Sequence, residues 1–154
     1  MRRLGLFLHD KPRARAGQSV VEFALVSLTI LIITFGIVDI GRAVFQRSML
    51  ANATREAARY ASVNGQYSDI NAVAAYAAQR SPTLNLTSSS VSTLACTRWN
   101  VSTSTWNSVS CSSSSVQLGD RLQITMNYAF TTSASLLLPV PTITMTESAT
   151  VTIQ

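Results

Sequence analysis

Ala16-Gly17-Gln18-Ser19-Val20-Val21-Glu22-Phe23, continued by the apolar run that reaches Val38, decides how the rest of the chain is read. As a helix rising about 1.5 Å per residue, Val20 to Val38 is long enough to cross the hydrocarbon core of a bilayer. Its one charge, Glu22, sits near the start. The stretch therefore predicts a membrane anchor rather than the core helix of a globular domain.

The charge pattern orients that anchor. The chain has 154 residues and a formal net charge of +5, a balance that would suggest nucleic acid if it were spread evenly. It is not spread: Arg2, Arg3, Lys11, Arg13 and Arg15 all precede the apolar run, opposed there only by Asp10. A basic cluster flanking a spanning segment sets topology, which places residues 1–17 in the cytoplasm as a basic leader and the C-terminal region across the membrane. No aromatics interleave with these charges, so no nucleic-acid partner is expected. Beyond the anchor at 18–38 the length suffices for one modest core, read as an extramembrane helical region at 39–81 and a Ser/Thr-rich β domain at 82–154.

Cys96 and Cys111 are the only cysteines, and both fall in the translocated part, where an oxidising compartment lets them pair. Closing that loop would stabilise the domain by roughly 3 kcal/mol in the chain-entropy view. No histidine or further cysteine lies nearby, so no metal is expected.

The small residues Ala14, Ala16 and Gly17 precede the apolar run, whereas an ordinary secretory signal places its small-residue cleavage site after it. Cutting at Gly17 would remove the leader and leave the anchor in the product. Gly17 followed by Gln18-Ser19-Val20-Val21-Glu22-Phe23 resembles the type IV prepilin processing site, in which a glycine precedes the cut and a glutamate falls fifth in the mature chain. The wider set, Gly17 to Ala24, then Gly36-Ile37-Val38-Asp39-Ile40-Gly41-Arg42-Ala43, then Ala53-Thr54-Arg55-Glu56-Ala57-Ala58-Arg59-Tyr60-Ala61, resembles the TadE-like family, minor pilins or pseudopilins of tight-adherence (Flp-type) pilus systems. The likeness covers about Ala16 to Ala61, and its specificity lies in the order and spacing of the blocks.

The resemblance implies a bacterial inner-membrane protein with its N-terminus in the cytoplasm, cut between Gly17 and Gln18 by a prepilin peptidase. It also implies pilin or pseudopilin subunits and the pilus secretion machinery as partners beside the lipid bilayer. Glu22, with Phe23 beside it, becomes an assembly handle: the amino group freed on Gln18 could pair with Glu22 of a neighbouring subunit. A carboxylate at the bilayer centre costs about 2.5 to 3.5 kcal/mol, less near the interface, so Glu22 needs such a reason or must snorkel to the headgroups. Gly17 also has a plainer reading, a flexible joint before a helix.

Past Val38 the helix is expected to continue to about Ala61, with Asn64-Gly65 as its stop. Asp39 with Arg42, and Glu56 with Arg59, are spaced to pair along it. Val44, Phe45, Met49, Ala53, Ala57, Tyr60 and Ala61 form an apolar stripe, expected to cover the protein's own C-terminal domain, while Arg55, Glu56 and Arg59 form a solvated or intramolecular pairing face. Asp69 caps a second helix to about Arg80, with Ile70, Val73, Ala74 and Ala77 on one side and Pro82 ending it; the two helices are expected to be antiparallel neighbours.

From Leu84 onward Leu84-Asn85-Leu86, Ser90 to Thr97, Trp99 to Thr103, Trp106 to Cys111, Asp120 to Thr131 and Thr142 to Ile153 favour strands. Gly119-Asp120 and Pro139-Val140-Pro141 separate the last of them. The expected fold is α+β, a long helix, a short one and a small, mostly antiparallel sheet, as in a type IV pilin. Ser112 to Ser115 reads as a flexible loop, and Trp99 and Trp106 lean towards the core.

Enzyme chemistry fails on inventory. His9 and Lys11, the only histidine and lysine, lie on the leader side, so the translocated part cannot build Ser-His-Asp, Cys-His or Ser-Lys sites, and no cofactor motif occurs. Asp39, Glu56, Asp69, Asp120 and Glu147 are scattered, with no spacing that selects an acid and base pair. Two other roles compete with the pilin reading: an uncleaved membrane-anchored assembly factor of the same secretion system, and an anchored surface-binding module using Trp99, Trp106 and the serine loop.

Overall fold

The computed structural model describes residues 14–133 and 141–154, with side chains from Gly17 onward. The basic stretch 1–13, with His9 and Lys11, lies outside the described residues, as do Pro139 and Val140 of the expected break before the last strand. The chain divides between Val38 and Asp39 into two units, and one helix, α1 (Ala14–Asn64), contributes to both.

The helix begins at Ala14, inside the stretch read as the basic leader. Ala14, Arg15 and Ala16 are good helix formers, and extending an existing helix through them costs less than nucleating a new one at Gly17. Its end follows the expected stop: Gly65 adopts φ +69°, and the Gln66 N–H donates to the Ala61 carbonyl at 3.1 Å, a closure that needs the left-handed residue.

Among the described residues of the first unit every large apolar side chain faces outward, from Val20 and Phe23 to Ile37 and Val38. The hydroxyls of Ser27, Thr29 and Thr34 donate to carbonyls three or four residues back, at 3.0, 3.0 and 2.8 Å, so these polar side chains expose little unpaired polarity. Among the described residues this is the one helix long and apolar enough to cross a membrane.

In the second unit α1 turns from an outward to an inward apolar face. Leu50, Ala53, Thr54, Ala57, Ala58, Ala61 and Ser62 are buried, spaced three and four apart, and Met49 packs at the margin. The expected stripe is thus correct from Met49 onward and wrong at its start. Val44 and Phe45 are 65% and 62% exposed, because a face that runs through Asp39 and Leu50 puts both on other sides of the cylinder.

Helix α2 (Ile70–Arg80) is capped by Asp69, whose carboxylate accepts from the N–H groups of Asn71 and Ala72, both at 3.0 Å. Val73, Ala74 and Ala77 are buried, but Ile70 is not; it opens the helix and lies 42% exposed. Tyr60, a turn before the end of α1, stacks on Tyr76 of α2 at 4.2 Å between ring centres and 9° between planes, so the two helices run back along each other. Small alanine faces allow this close approach.

Two 3-10 turns follow, Pro82–Leu84 and Ser88–Ser90. Leu84-Asn85-Leu86 is therefore not the expected strand: Asn85 takes φ +45°, a left-handed conformation that asparagine tolerates and a strand forbids. Leu84 and Leu86 still reach the core.

Strands β1 (Val91–Asn100), β2 (Thr105–Val109), β3 (Arg121–Phe130) and β4 (Ile143–Thr152) form an antiparallel sheet in the order β2-β1-β3-β4. The class is α+β, as expected. The separately expected runs at Ser90 to Thr97 and Trp99 to Thr103 merge into β1 as far as Asn100. Beyond it the Asn100 side chain accepts from the Ser102 N–H at 2.9 Å and turns the chain into β2. Along β3, Leu122, Ile124 and Met126 are fully buried while Arg121 and Gln123 point out. The core closes between this face and the alanine-rich faces of α1 and α2. A disulfide joins Cys96 of β1 to Cys111 just beyond β2, with Cα atoms 5.3 Å apart.

Candidate functional site

Gly17 lies within α1, three residues after its start, and a Cβ built there would meet nothing within 4 Å. Close packing inside the chain therefore does not demand glycine here. Gln18, Glu22 and Phe23 are exposed, Phe23 at 73%. Among the described residues Glu22, the one carboxylate of the apolar segment, forms no ion pair.

The second motif block does structural work within its own unit. Asp39 is buried, and its two carboxylate oxygens accept from the Ser133 N–H at 3.0 and 2.9 Å. Arg42, one turn on, contacts Asp39 at 3.4 Å, donates to the Ser133 hydroxyl at 2.6 Å and lies over the Phe130 ring at 5.8 Å. The expected Asp39–Arg42 pair is therefore one side of a three-residue clamp that holds the end of β3 to α1. Gly41 between them is exposed, and a Cβ there would also meet nothing within 4 Å.

The third block divides by face. Ala57 and Ala58 go inward and Tyr60 stacks on Tyr76, whereas Arg55, Glu56 and Arg59 are exposed. The expected Glu56–Arg59 pair does not form among the described residues. Arg80 of α2 donates to the Tyr76 hydroxyl at 2.7 Å, and that bond is the main cause that raises its guanidinium above the usual range. Arg55, Glu56, Arg59 and Val63 line an open groove of about 500 Å³ whose other wall is Val151 and Thr152 of β4.

Trp99 and Trp106 sit directly opposite each other on β1 and β2, 45% and 36% exposed, with ring centres 5.5 Å apart. The Arg121 guanidinium lies 3.7 Å from the centre of the Trp106 ring. The expectation of core tryptophans is overturned: on this end of the sheet they fall on the solvent face, where a tilted ring contact at 57° and the cation–π contact with Arg121 replace burial. The serine loop is an ordered turn, with the Ser112 carbonyl accepting from Ser115 and Val116, both at 3.0 Å.

Sequence reading passed over the strongest ion pair. Asp120, 2% exposed, takes two bonds from Arg98 at 2.9 and 2.7 Å and one from the Gln117 N–H at 2.8 Å. The Arg98 guanidinium beside it, helped by the Gln117 N–H, holds the Asp120 carboxyl below its ordinary value against the opposing effect of burial. The same guanidinium reaches the Ser115 carbonyl at 2.7 Å, tying the serine turn to the sheet. The two residues are 22 apart in sequence, and only strand pairing brings them together. Among the described residues no cluster of three or more His, Cys, Asp or Glu could hold a metal ion.

An exposed apolar helix leading into a helix-backed antiparallel sheet defines an α+β protein with one candidate membrane-spanning helix. Residues 17–59 match the family model described as TadE-like protein, so the stretch from the apolar run into the helix that prolongs it is similar to TadE-like proteins. The match takes in Gly17, Glu22, Asp39, Gly41, Arg42, Arg55, Glu56 and Arg59 and stops short of α2 and the sheet. No curated protein and no solved structure matches.

Proposed function

We propose that this chain is a minor pilin or pseudopilin of a tight-adherence pilus, cut after Gly17 by a prepilin peptidase and assembled through its N-terminal helix. The observation that carries the reading is the coincidence of Gly17, Glu22 and the exposed apolar run inside the family match at residues 17–59. The role is structural. Glu22 offers a carboxylate in a low-dielectric setting where a neighbouring subunit's new amino group would be its favoured partner. On this reading the leader side faces the cytoplasm of the inner membrane and the sheet lies beyond it.

The N-terminal residue of the protein recovered from cells, read by mass spectrometry, tests the processing step. A product beginning at Gln18 supports it and one that keeps the leader overturns it. Gly17→Val should block processing, while Glu22→Ala should leave processing intact and reduce piliation; unchanged pili in both variants would sink the mechanism.

One observation favours a second reading, an uncleaved assembly factor of the same system. The Gly17–Gln18 bond lies within α1, and a protease that takes an extended backbone must first unwind that turn. Glycine lowers this cost, since it is a poor helix former.

A further inference from the structure

Strand β4 is the long open edge of the sheet. It pairs with β3 alone, and among the described residues no other backbone hydrogen bond reaches Ile143–Thr152. A row of N–H and C=O groups along ten residues is therefore available beside it. The opposite edge, β2, has only five residues.

The flank of α1 forms the other wall of this edge. Near one end of β4 a groove of about 410 Å³ is lined by Val44 and Arg47 of α1 and by Ile143 and Met145. Near the other end lies the groove of Arg55, Arg59 and Val151 already described. Val44 and Ile143 are 65% and 51% exposed, apolar surface that the described residues leave uncovered.

The charges on this flank are unequal. Arg47 bonds Glu147 at 2.7 Å, which uses the one carboxylate of β4. Arg55 and Arg59 have no ion-pair partner among the described residues, and the groove they share with Glu56 keeps an excess of positive charge.

We propose that the trough between β4 and α1 docks an extended, carboxylate-bearing segment of a partner chain, which adds to the sheet as a fifth strand. Only an extended backbone matches the edge, by the same hydrogen bonding that pairs β3 with β4. Alternate side chains of the incoming strand would cover Val44, Ile143 and Met145, and its carboxylates would meet Arg55 and Arg59. A second copy is the poorer occupant: two-fold pairing of β4 edges is antiparallel and sets the Arg55 and Arg59 end of one copy against the Val44 and Arg47 end of the other, where the one β4 carboxylate, Glu147, is already bonded to Arg47. The inference does not depend on cleavage after Gly17.

The test uses the full chain in lipid nanodiscs and two synthetic probes, a peptide alternating glutamate with valine and its lysine counterpart. Fluorescence anisotropy reads affinity, and hydrogen exchange reads the β4 amides. The glutamate peptide should bind about tenfold more tightly than the lysine peptide and slow exchange across Ile143–Thr152. The double variant Arg55→Ala, Arg59→Ala, which removes exposed side chains without ion pairs, should erase the charge preference and keep the fold. Equal affinity for the two peptides, no binding up to about millimolar peptide, or unchanged β4 exchange would overturn the proposal. So would β4 protection that grows with protein concentration alone, which would identify a second copy as the occupant.

Discussion

Ile32 and Ile124 are the same side chain under opposite rules: the first is 64% exposed on α1, the second fully buried in β3. The contrast extends to the units that hold them. Up to Val38 the helix keeps its apolar groups outside and its hydroxyls bonded to its own backbone; in the second unit one face of α1, from Leu50 on, and one face of β3 turn their apolar groups into a core. An isolated helix can satisfy every backbone bond by itself, so it tolerates an apolar surround, whereas a sheet must bury one face against something. The change of rule falls at Asp39, where the first buried carboxylate of the described chain appears.

The largest blow to this comparison should come from truncating the two isoleucines. Ile124→Ala is expected to cost about 4 kcal/mol by urea unfolding of the full chain in micelles. Ile32→Ala should change that transition by less than about 0.5 kcal/mol. Equal effects would mean that the two units are not governed by different surroundings.

The disulfide comes next. Cys96→Ser with Cys111→Ser should lower the stability of the second unit by about 3 kcal/mol, read from the same transition with and without reductant. Helicity of the first unit, followed by far-UV circular dichroism, should not move.

Asp120→Ala is expected to cost about 2 kcal/mol, because it strips the bidentate partner from Arg98. The carboxyl of Asp120 is held below its ordinary value in the folded chain. Its contribution is therefore complete above the unfolded value of about 3.9 and is lost as pH falls through the lower folded value. Acid unfolding of the wild-type chain should steepen in that range, and the variant should lack the steepening.

The smallest effect sharpens the boundary. Asp39→Ala should cost about 1.5 kcal/mol by releasing Ser133, with faster hydrogen exchange confined to the end of β3. Exchange in α1 before Val38 should stay as it was.

The anchor was legible because it is a matter of count and composition: nineteen successive positions from Val20 with one charge, bounded by basic residues on one side. The Asn64-Gly65 stop and the Asp69 cap were legible for a like reason, since each acts within a few residues. The alternation in Leu122-Gln123-Ile124-Thr125-Met126 carried its own buried face. By contrast, Val44 and Phe45 read as core because apolar identity was all there was to go on, and the helix phase that excludes them is set by what packs at Leu50 and Ala57. Trp99 and Trp106 failed similarly: size and apolarity suggest burial, but the register Trp99↔Trp106 and Cys96↔Val109 places the pair on the solvent face.

For the candidate site the division is sharper. Glycine, glutamate and apolar run were visible as a pattern, and Asp39 and Arg42 as a helical pair. That the pair clasps Ser133, 94 positions beyond Asp39, could not be seen from spacing. The sequence alone determined the elements that depend on neighbours along the chain: the anchor, the helix limits, the strand alternation and the TadE-like order of motifs. Tertiary structure alone decided which face of α1 is covered, which carboxylate is held at Arg98 and which strand is left at the edge. Those outcomes depend on contacts between distant segments, and their energy is set by three-dimensional packing and local dielectric rather than by local propensity.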